Sequence, residues 1–312
     1  MSAAEGATPA APASLQACHD ALLVDLDGVV QLGRDPVPGA ARALESARAA
    51  GLRVVFVTNN AARTAADVAA TLCDLGVPAA ADEVLTSSMA AADLLAERFP
   101  AGTRVLVVGG AGLREPVQAV GLQPVASADD DPAAVVQGWS PELTWSLLAE
   151  AAVAIRRGAT WVATNRDATL PSLRGPLPGN GAMVAAVAMA TGTEPEVVGK
   201  PGRALFDAAV RRAGAARPLV VGDRLDTDIA GANAAGLPSL LVLTGVSGQD
   251  DLVAAAPAAR PTYVGHDLAA LGGAATAITA EADAGDGLDD LRRKCRRVWG
   301  SPSTLGRDSA GG

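Results

Sequence analysis

The sequence predicts an α/β protein: a doubly wound parallel sheet whose chain is interrupted by an inserted α/β block. Three observations lead there. Short apolar runs, Ala21 to Val24, Leu52 to Val57 and Leu219 to Val221, have the length and character of strands buried on both faces. Each run ends in polar residues, Asp25-Leu26-Asp27, Thr58-Asn59-Asn60 and Gly222-Asp223, and open α/β sheets place their chemistry at strand carboxyl ends. A second series of βα units then separates the Thr58 segment from Val198-Gly199-Lys200-Pro201, so the first unit is split in sequence.

Taken in order, residues 1–17 form an Ala/Pro-rich leader expected to be disordered. Residues 18–83 are read as the first part of the core. Thr64 is the expected N-cap of a helix carrying Val68, Leu72 and Leu75, which Gly76 terminates. Residues 84–197 are the inserted block, with strands predicted at 104–108, 134–137 and 160–163. Within it, Val105 to Gly112 lacks the spacing of a dinucleotide-binding fingerprint and reads as a turn after a strand. Residues 198–270 resume the core. Pro201 is expected in the first turn of a helix, Leu205, Phe206, Ala209 and Val210 form its buried face, and Gly214 stops it. Strands at 219–221 and 239–243 follow. Residues 271–312 are a tail in which Leu288, Leu291, Cys295 and Val298 recur at helical spacing among arginines. That pattern fits a basic docking helix for an anionic partner, or a short amphipathic helix paired with Asp289 and Asp290, or a mobile tail.

Composition narrows the function. With 312 residues the chain holds two domains of ordinary size, and 49% apolar residues supply a full core. Aromatics are only 3%, so alanine and small aliphatics do the packing. A net charge of −9 argues against a nucleic-acid surface, which needs clustered Lys and Arg. Cys18, Cys73 and Cys295 fit no disulfide framework or zinc spacing, and His19 and His266 are too few for a histidine-rich metal site. The N-terminus lacks a basic segment followed by an apolar core, and the apolar stretch Met183 to Ala190 is too short to span a bilayer. The expectation is a cytoplasmic protein without nucleic-acid or membrane partners.

The pair Asp25 and Asp27 carries the most chemistry. Acids at i and i+2 of an extended backbone point the same way. Desolvated at ~4 Å, they repel by roughly 4 kcal/mol at an effective dielectric near 20. A cation, a proton or a reaction intermediate relieves that repulsion; two solvated acids at a strand end would need no relief. Lys200 has the same two readings, an active-site cation or a surface lysine at a helix start.

Five segments in order shift both readings: Asp25-Leu26-Asp27-Gly28-Val29-Val30, Thr58-Asn59-Asn60, Thr164-Asn165-Arg166-Asp167, Val198-Gly199-Lys200-Pro201 and Gly222-Asp223-Arg224-Leu225-Asp226-Thr227-Asp228. Together they resemble the haloacid dehalogenase-like (HAD) phosphatase superfamily over residues 20 to about 268. The nearest branch is subfamily IIA, which contains 4-nitrophenyl, pyridoxal phosphate, glycerol 3-phosphate and phosphoglycolate phosphatases and ribonucleotide monophosphatase-like proteins. The resemblance implies a Rossmann-like doubly wound parallel-sheet core with a C2-type α/β cap over the cleft.

It also implies roles. Asp25 would be the nucleophile, forming an aspartyl-phosphate, and Asp27 the general acid and base. Asp25, the backbone carbonyl of Asp27, and Asp223 would hold Mg²⁺, while Asp228 would orient metal waters or Lys200. Thr58, the backbone N–H of Asn59, and Lys200 would bind the phosphoryl oxygens. Asp226 is expected to be a solvated loop acid. In the cap, Asn165, Asp167, Arg174 and Asn180 are candidate contacts to the leaving group. The implied function is a Mg²⁺-dependent phosphatase of a small phosphorylated metabolite. Glycerol 3-phosphate or 2-phosphoglycolate is favoured, because no aromatic lies between Asn165 and Asn180 to stack a pyridine or nucleobase. The alternatives are a phosphatase for pyridoxal phosphate or for a sugar or nucleotide monophosphate, and a phosphotransferase or mutase of the same superfamily. A receiver domain lacks the second acid and the large insertion. A catalytically silent binding protein would not keep every polar position filled. A homodimer is left open.

Overall fold

The computed structural model describes residues 13–170, 174–281 and 284–300. The chain begins with the one-turn helix α1 (Leu15–Cys18), strand β1 (Ala21–Val24), a small hairpin of β2 (Gln31–Leu32) and β3 (Asp35–Pro36), and helix α2 (Ala40–Ala49). It continues through β4 (Arg53–Thr58), α3 (Ala65–Asp74), β5 (Val84–Thr86) and α4 (Ser87–Arg98). Next come β6 (Arg104–Val108), α5 (Ala111–Ala119), β7 (Gln123–Val125), β8 (Ala134–Gln137), α6 (Trp145–Arg156) and β9 (Thr160–Ala163). A hairpin of β10 (Thr169–Leu170) and β11 (Leu177–Pro178) leads to α7 (Asn180–Thr191) and β12 (Glu196–Val197). The chain then forms α8 (Arg203–Ala213), β13 (Pro218–Gly222) and a π-helical turn, Leu225–Ile229, that runs into α9 (Ala230–Ala235). Last are β14 (Ser239–Val242), α10 (Gln249–Val253), β15 (Tyr263–Gly265) and α11 (Asp289–Gly300).

Two parallel sheets result. The first has the order β15-β14-β13-β1-β4-β5 and the second β12-β9-β8-β6-β7. Strand alternation decides the layers, because successive side chains face opposite sides. Leu22, Val24, Val54, Phe56, Leu219 and Val221 join one core cluster, under α2 and α3. Ala21, Leu23, Val55, Val57 and Val220 join another, which continues through α4, α5 and α8 to Val105, Val107 and Val136 of the second sheet. The far face of that sheet, with Leu106, Val108, Val135 and Ala163, packs on α6 and α7.

Local signals explain the element ends. Thr64 caps α3 with a full capping box: its Oγ1 accepts from Asp67 N–H at 3.1 Å, and the Asp67 carboxylate accepts from Thr64 N–H at 3.3 Å. Gly76 and Gly214 follow α3 and α8 with φ of +78° and +54°, the left-handed conformation that ends a helix. The turn after β6 has its own reason for glycine. A Cβ on Gly112 would lie 2.5 Å from the Ala62 carbonyl carbon, so this residue lets α5 press against the loop that follows β4.

Four boundaries differ from the sequence expectation. Ser14 caps α1, so ordered structure starts inside the expected leader; residues 1–12 lie outside the described residues. Val84–Thr86, assigned by sequence to the inserted block, pairs with β4 and belongs to the first sheet. A three-residue strand carries too little pattern to reveal its sheet. Helix α8 starts at Arg203 behind Gly202, leaving Pro201 outside it. In the tail, α11 packs against α10, with Leu288, Leu291 and Cys295 buried but Val298 exposed. Trp299 takes the next inward position, beneath the Arg260 guanidinium at 5.0 Å from its ring centroid.

Candidate active site

The chain leaves β1 towards β4 and β5 on one side and returns as β13 on the other, so β1 and β13 flank a topological switch point. Asp25 follows β1, Asp223 follows β13 and Thr58 ends β4, which brings their side chains to one end of three adjacent strands. Asp25 N–H donates to the Val221 carbonyl at 2.9 Å, prolonging the β1–β13 ladder to the acid itself.

Three carboxylates converge there. One oxygen each from Asp25, Asp223 and Asp228 lie within 4.8 Å of one another. Lys200 reaches the cluster from the loop before α8 and is 4% exposed. Its ammonium pairs with Asp25, lies 2.7 Å from Asp228 Oδ1, and donates to the Val57 carbonyl at 3.1 Å. Three anions and one cation leave a formal excess of two negative charges.

The electrostatics follow. Burial pushes the Asp25 carboxyl well above the usual carboxylate range, against the opposing pull of Lys200. Burial, reinforced by Asp228, pushes Asp223 up to about 6. Burial alone would lower the Lys200 ammonium, but Asp228 and Asp25 outweigh it and hold it above its ordinary value. Asp223 Oδ1 is buried without a hydrogen-bond partner, while its Oδ2 accepts from Val246 N–H at 2.7 Å. An oxygen-only cradle with a surplus of two charges and an orphaned carboxylate oxygen fits a hard divalent cation such as Mg²⁺.

Glycines keep the cradle open. A Cβ at Gly28 or Gly245 would collide with the Asp223 carboxylate, and one at Gly222 would collide with Asp228. Gly28 also has φ +87°, so its backbone and its surroundings both require glycine.

The remaining predicted residues divide. Asp27 is exposed, stands outside the trio, and its Oδ1 accepts from Gln31 Nε2 at 2.8 Å. Thr58 is 3% exposed, and its Oγ1 accepts from Asn60 N–H at 3.0 Å. The Asn59 side chain clasps the Lys200 backbone: Oδ1 accepts from Lys200 N–H at 2.8 Å and Nδ2 donates to the Lys200 carbonyl at 3.1 Å. Nδ2 also donates to the Asp167 carboxylate at 3.3 Å. Asn165 Nδ2 donates to the Asn59 carbonyl at 2.7 Å, and buried Asn180 donates to the Asn165 carbonyl at 2.8 Å. Thus Asn165 and Asp167, from the segment after β9, meet the loop after β4, and Asn180 at the start of α7 ties to Asn165 behind them. Arg174 lies exposed between β10 and β11.

Sequence reasoning missed two side chains here. Arg224 holds Asp226 in a bidentate pair at 3.1 and 2.8 Å, which keeps that carboxyl below its usual range; Asp226 stays solvent-exposed, as the sequence predicts, with a partner the sequence reading does not name. Burial raises Asp167, with Asn59 and then Arg224 opposing the rise. Gln31 was also missed, although its place four residues after Asp27 in a tight turn is the one signal that marked it.

Residues 22–123 match the family model of haloacid dehalogenase-like hydrolases, and residues 197–271 match a second, HAD-hydrolase-like model. The chain is 51% identical over 306 residues to D-glycerol 3-phosphate phosphatase of Mycobacterium tuberculosis, covering 90% of this chain and 86% of that protein. The chain belongs to the haloacid dehalogenase-like hydrolases. Another member of this family, acid sugar phosphatase of Staphylococcus aureus, is 36% identical over 252 residues, covering 80% of this chain and 95% of that one. The crystal structure of glycerol phosphate phosphatase from Mycobacterium tuberculosis in complex with magnesium superposes with a TM-score of 0.88 at 51% identity, covering 92% of each chain. Among the described residues, no helix is long and apolar enough to cross a membrane.

Proposed function

We propose that this protein is a Mg²⁺-dependent phosphatase of small phosphomonoesters, with glycerol 3-phosphate as its substrate. The observation that carries the reading is the convergence of Asp25, Asp223 and Asp228 around buried Lys200 at the switch point of the sheet. The magnesium complex of the 51% identical mycobacterial phosphatase supports both the metal and the substrate class.

Asp25 is the nucleophile, the role its family resemblance implies, and it is the most exposed of the trio, with 13% of its side chain accessible to solvent. A covalent aspartyl-phosphate splits one difficult displacement into two. Bound Mg²⁺ supplies positive charge against the phosphoryl oxygens and the crowded carboxylates. Asp25, Asp223 and the backbone carbonyl of Asp27 are its proposed ligands, with Asp228 beside them holding Lys200. The ammonium of Lys200 keeps Asp25 oriented and offsets the charge of the incoming phosphate. Thr58 and the Asn59 N–H bind phosphoryl oxygens. Asp27, exposed to the cleft, protonates the leaving oxygen and later takes a proton from the hydrolytic water.

The second sheet and its helices serve as the cap. Its Asp167 places an acceptor carboxylate beside the loop after β4, and Asn165 and Asn180 brace that segment. A hydroxyl-bearing leaving group can donate to such a carboxylate, whereas a second carboxylate would be repelled. That favours glycerol 3-phosphate over 2-phosphoglycolate. Three free cysteines fit a reducing, cytosolic setting.

The test is phosphate release from a panel of small metabolite phosphates with Mg²⁺ or with EDTA. Glycerol 3-phosphate should lead and EDTA should abolish turnover. Preference for 2-phosphoglycolate overturns the substrate, and EDTA-resistant activity overturns the metal.

A further inference from the structure

Gln31 lies in no segment that suggested the phosphatase reading, yet it donates to Asp27 Oδ1 at 2.8 Å. The backbone between the two is tightly held. The N–H groups of Val29, Val30 and Gln31 converge on the Leu26 carbonyl at 3.3, 2.9 and 3.0 Å, and Gly28 N–H donates to the Gln31 carbonyl at 2.7 Å. Thr244 Oγ1 ties the Gly28 carbonyl from the far side at 2.5 Å, and Leu26, Val29 and Val30 are buried. Gln31 therefore meets Asp27 from a fixed platform. Asp27 and Gln31, with Thr58, Asn60 and Arg63, line a cavity of about 20 Å³, room for about one water.

We propose that Gln31 is a positioning residue for proton transfer: its amide holds Asp27 Oδ1 and so presents Oδ2 to the reacting oxygens. This rests on the assignment of Asp27 as acid and base. In the first half-reaction an Asp25 oxygen bonds to phosphorus while the ester P–O bond breaks. The leaving oxygen keeps the electron pair of that bond and takes the proton from Asp27 Oδ2, which is left as carboxylate. In the second, water oxygen bonds to phosphorus and passes one proton to Oδ2. The P–O bond to Asp25 then breaks, releasing inorganic phosphate and restoring the nucleophile. Both transfers use the same oxygen, so an amide that stops the carboxylate from rotating keeps it aligned for both.

The experiment compares leaving groups. An alkoxide cannot depart without a proton, whereas 4-nitrophenolate can, and kcat/KM reports the first half-reaction for both. Gln31→Leu removes the donor, and Gln31→Glu keeps the shape but turns the donor into an acceptor. Both should lower kcat/KM for glycerol 3-phosphate about tenfold, a part of the roughly 10²- to 10⁴-fold that general acid catalysis supplies, and lower it for 4-nitrophenyl phosphate only about twofold. Equal losses on the two substrates, or none, overturn the role of Gln31. Asp27→Asn is measured in parallel and should show the same bias more strongly. If Asp27→Asn shows no bias, the acid/base assignment falls and Gln31 with it; bias in Asp27→Asn alone removes only Gln31.

Discussion

At the residue scale the site is defined by what surrounds each acid. Asp25 and Asp228 share one ammonium, and Asp223 is kept in place by glycines that leave no room for a side chain. Asp25→Asn removes the proposed nucleophile while keeping the volume. Turnover of 4-nitrophenyl phosphate should fall by at least about 10³-fold with an unchanged circular dichroism spectrum. Lys200→Met leaves buried Asp228 and the largely enclosed Asp25 without their counter-charge. Breaking such a pair costs about 3–5 kcal/mol, to be read as a lower urea midpoint in metal-free protein. Gly28→Ala must adopt a φ of +87° and displace the Asp223 carboxylate. It should cost on the order of 1–3 kcal/mol and weaken Mg²⁺ binding measured by calorimetry. The acid pair was readable because i and i+2 acids after an apolar run are rare. That Gln31 would hold Asp27 Oδ1 was not readable, since rotamer and turn geometry decide it.

At the scale of elements, local signals and tertiary packing contribute unequally. The N-cap of α3 was readable because Thr64 stands just before the helical spacing of Val68 and Leu72, and Thr64→Ala should cost about 1 kcal/mol of unfolding free energy. Helix α11 was only half readable. The spacing placed Val298 inside, but burial runs through Leu288, Leu291, Arg292 and Cys295, and Trp299 packs against the same cluster. Arg292 is buried because Asp286 pairs with it at 2.7 and 2.6 Å, Asp289 at 3.1 Å, and the Val264 carbonyl accepts from it at 3.2 Å. No hydrophobic pattern announces a buried arginine whose partners lie on its own helix start, a preceding loop and a sheet edge. Arg292 holds the Asp286 carboxyl below its ordinary value. A lowered folded-state pKa stabilises above the unfolded value near 4, and that contribution is lost as pH falls through the folded value. Asp286→Asn should therefore lower Tm at pH 7 and lower it by less at pH 3. An equal deficit at both would mean that the ion pair is not what secures α11.

At the scale of the molecule, two sheets and an intervening helical layer bring the loop after β4 against the segment after β9. Metal binding should stabilise the whole, because a ligand held only by the folded state adds about 2.7 kcal/mol at one hundred times its dissociation constant. Mg²⁺ should raise Tm of the parent protein, and Asp223→Asn should abolish most of that rise; an equal rise in both would remove Asp223 from the metal site. The chain alone determined the apolar strands, the polar residues that end them and their order, because strand burial and helix capping act within a few neighbours. Only the tertiary structure decided that Val84–Thr86 completes the first sheet, that Gln31 donates to Asp27, and that the Asn59 side chain clasps the Lys200 backbone. Those outcomes depend on which strands lie side by side and on where side chains meet across the chain, and residue spacing does not record such distances.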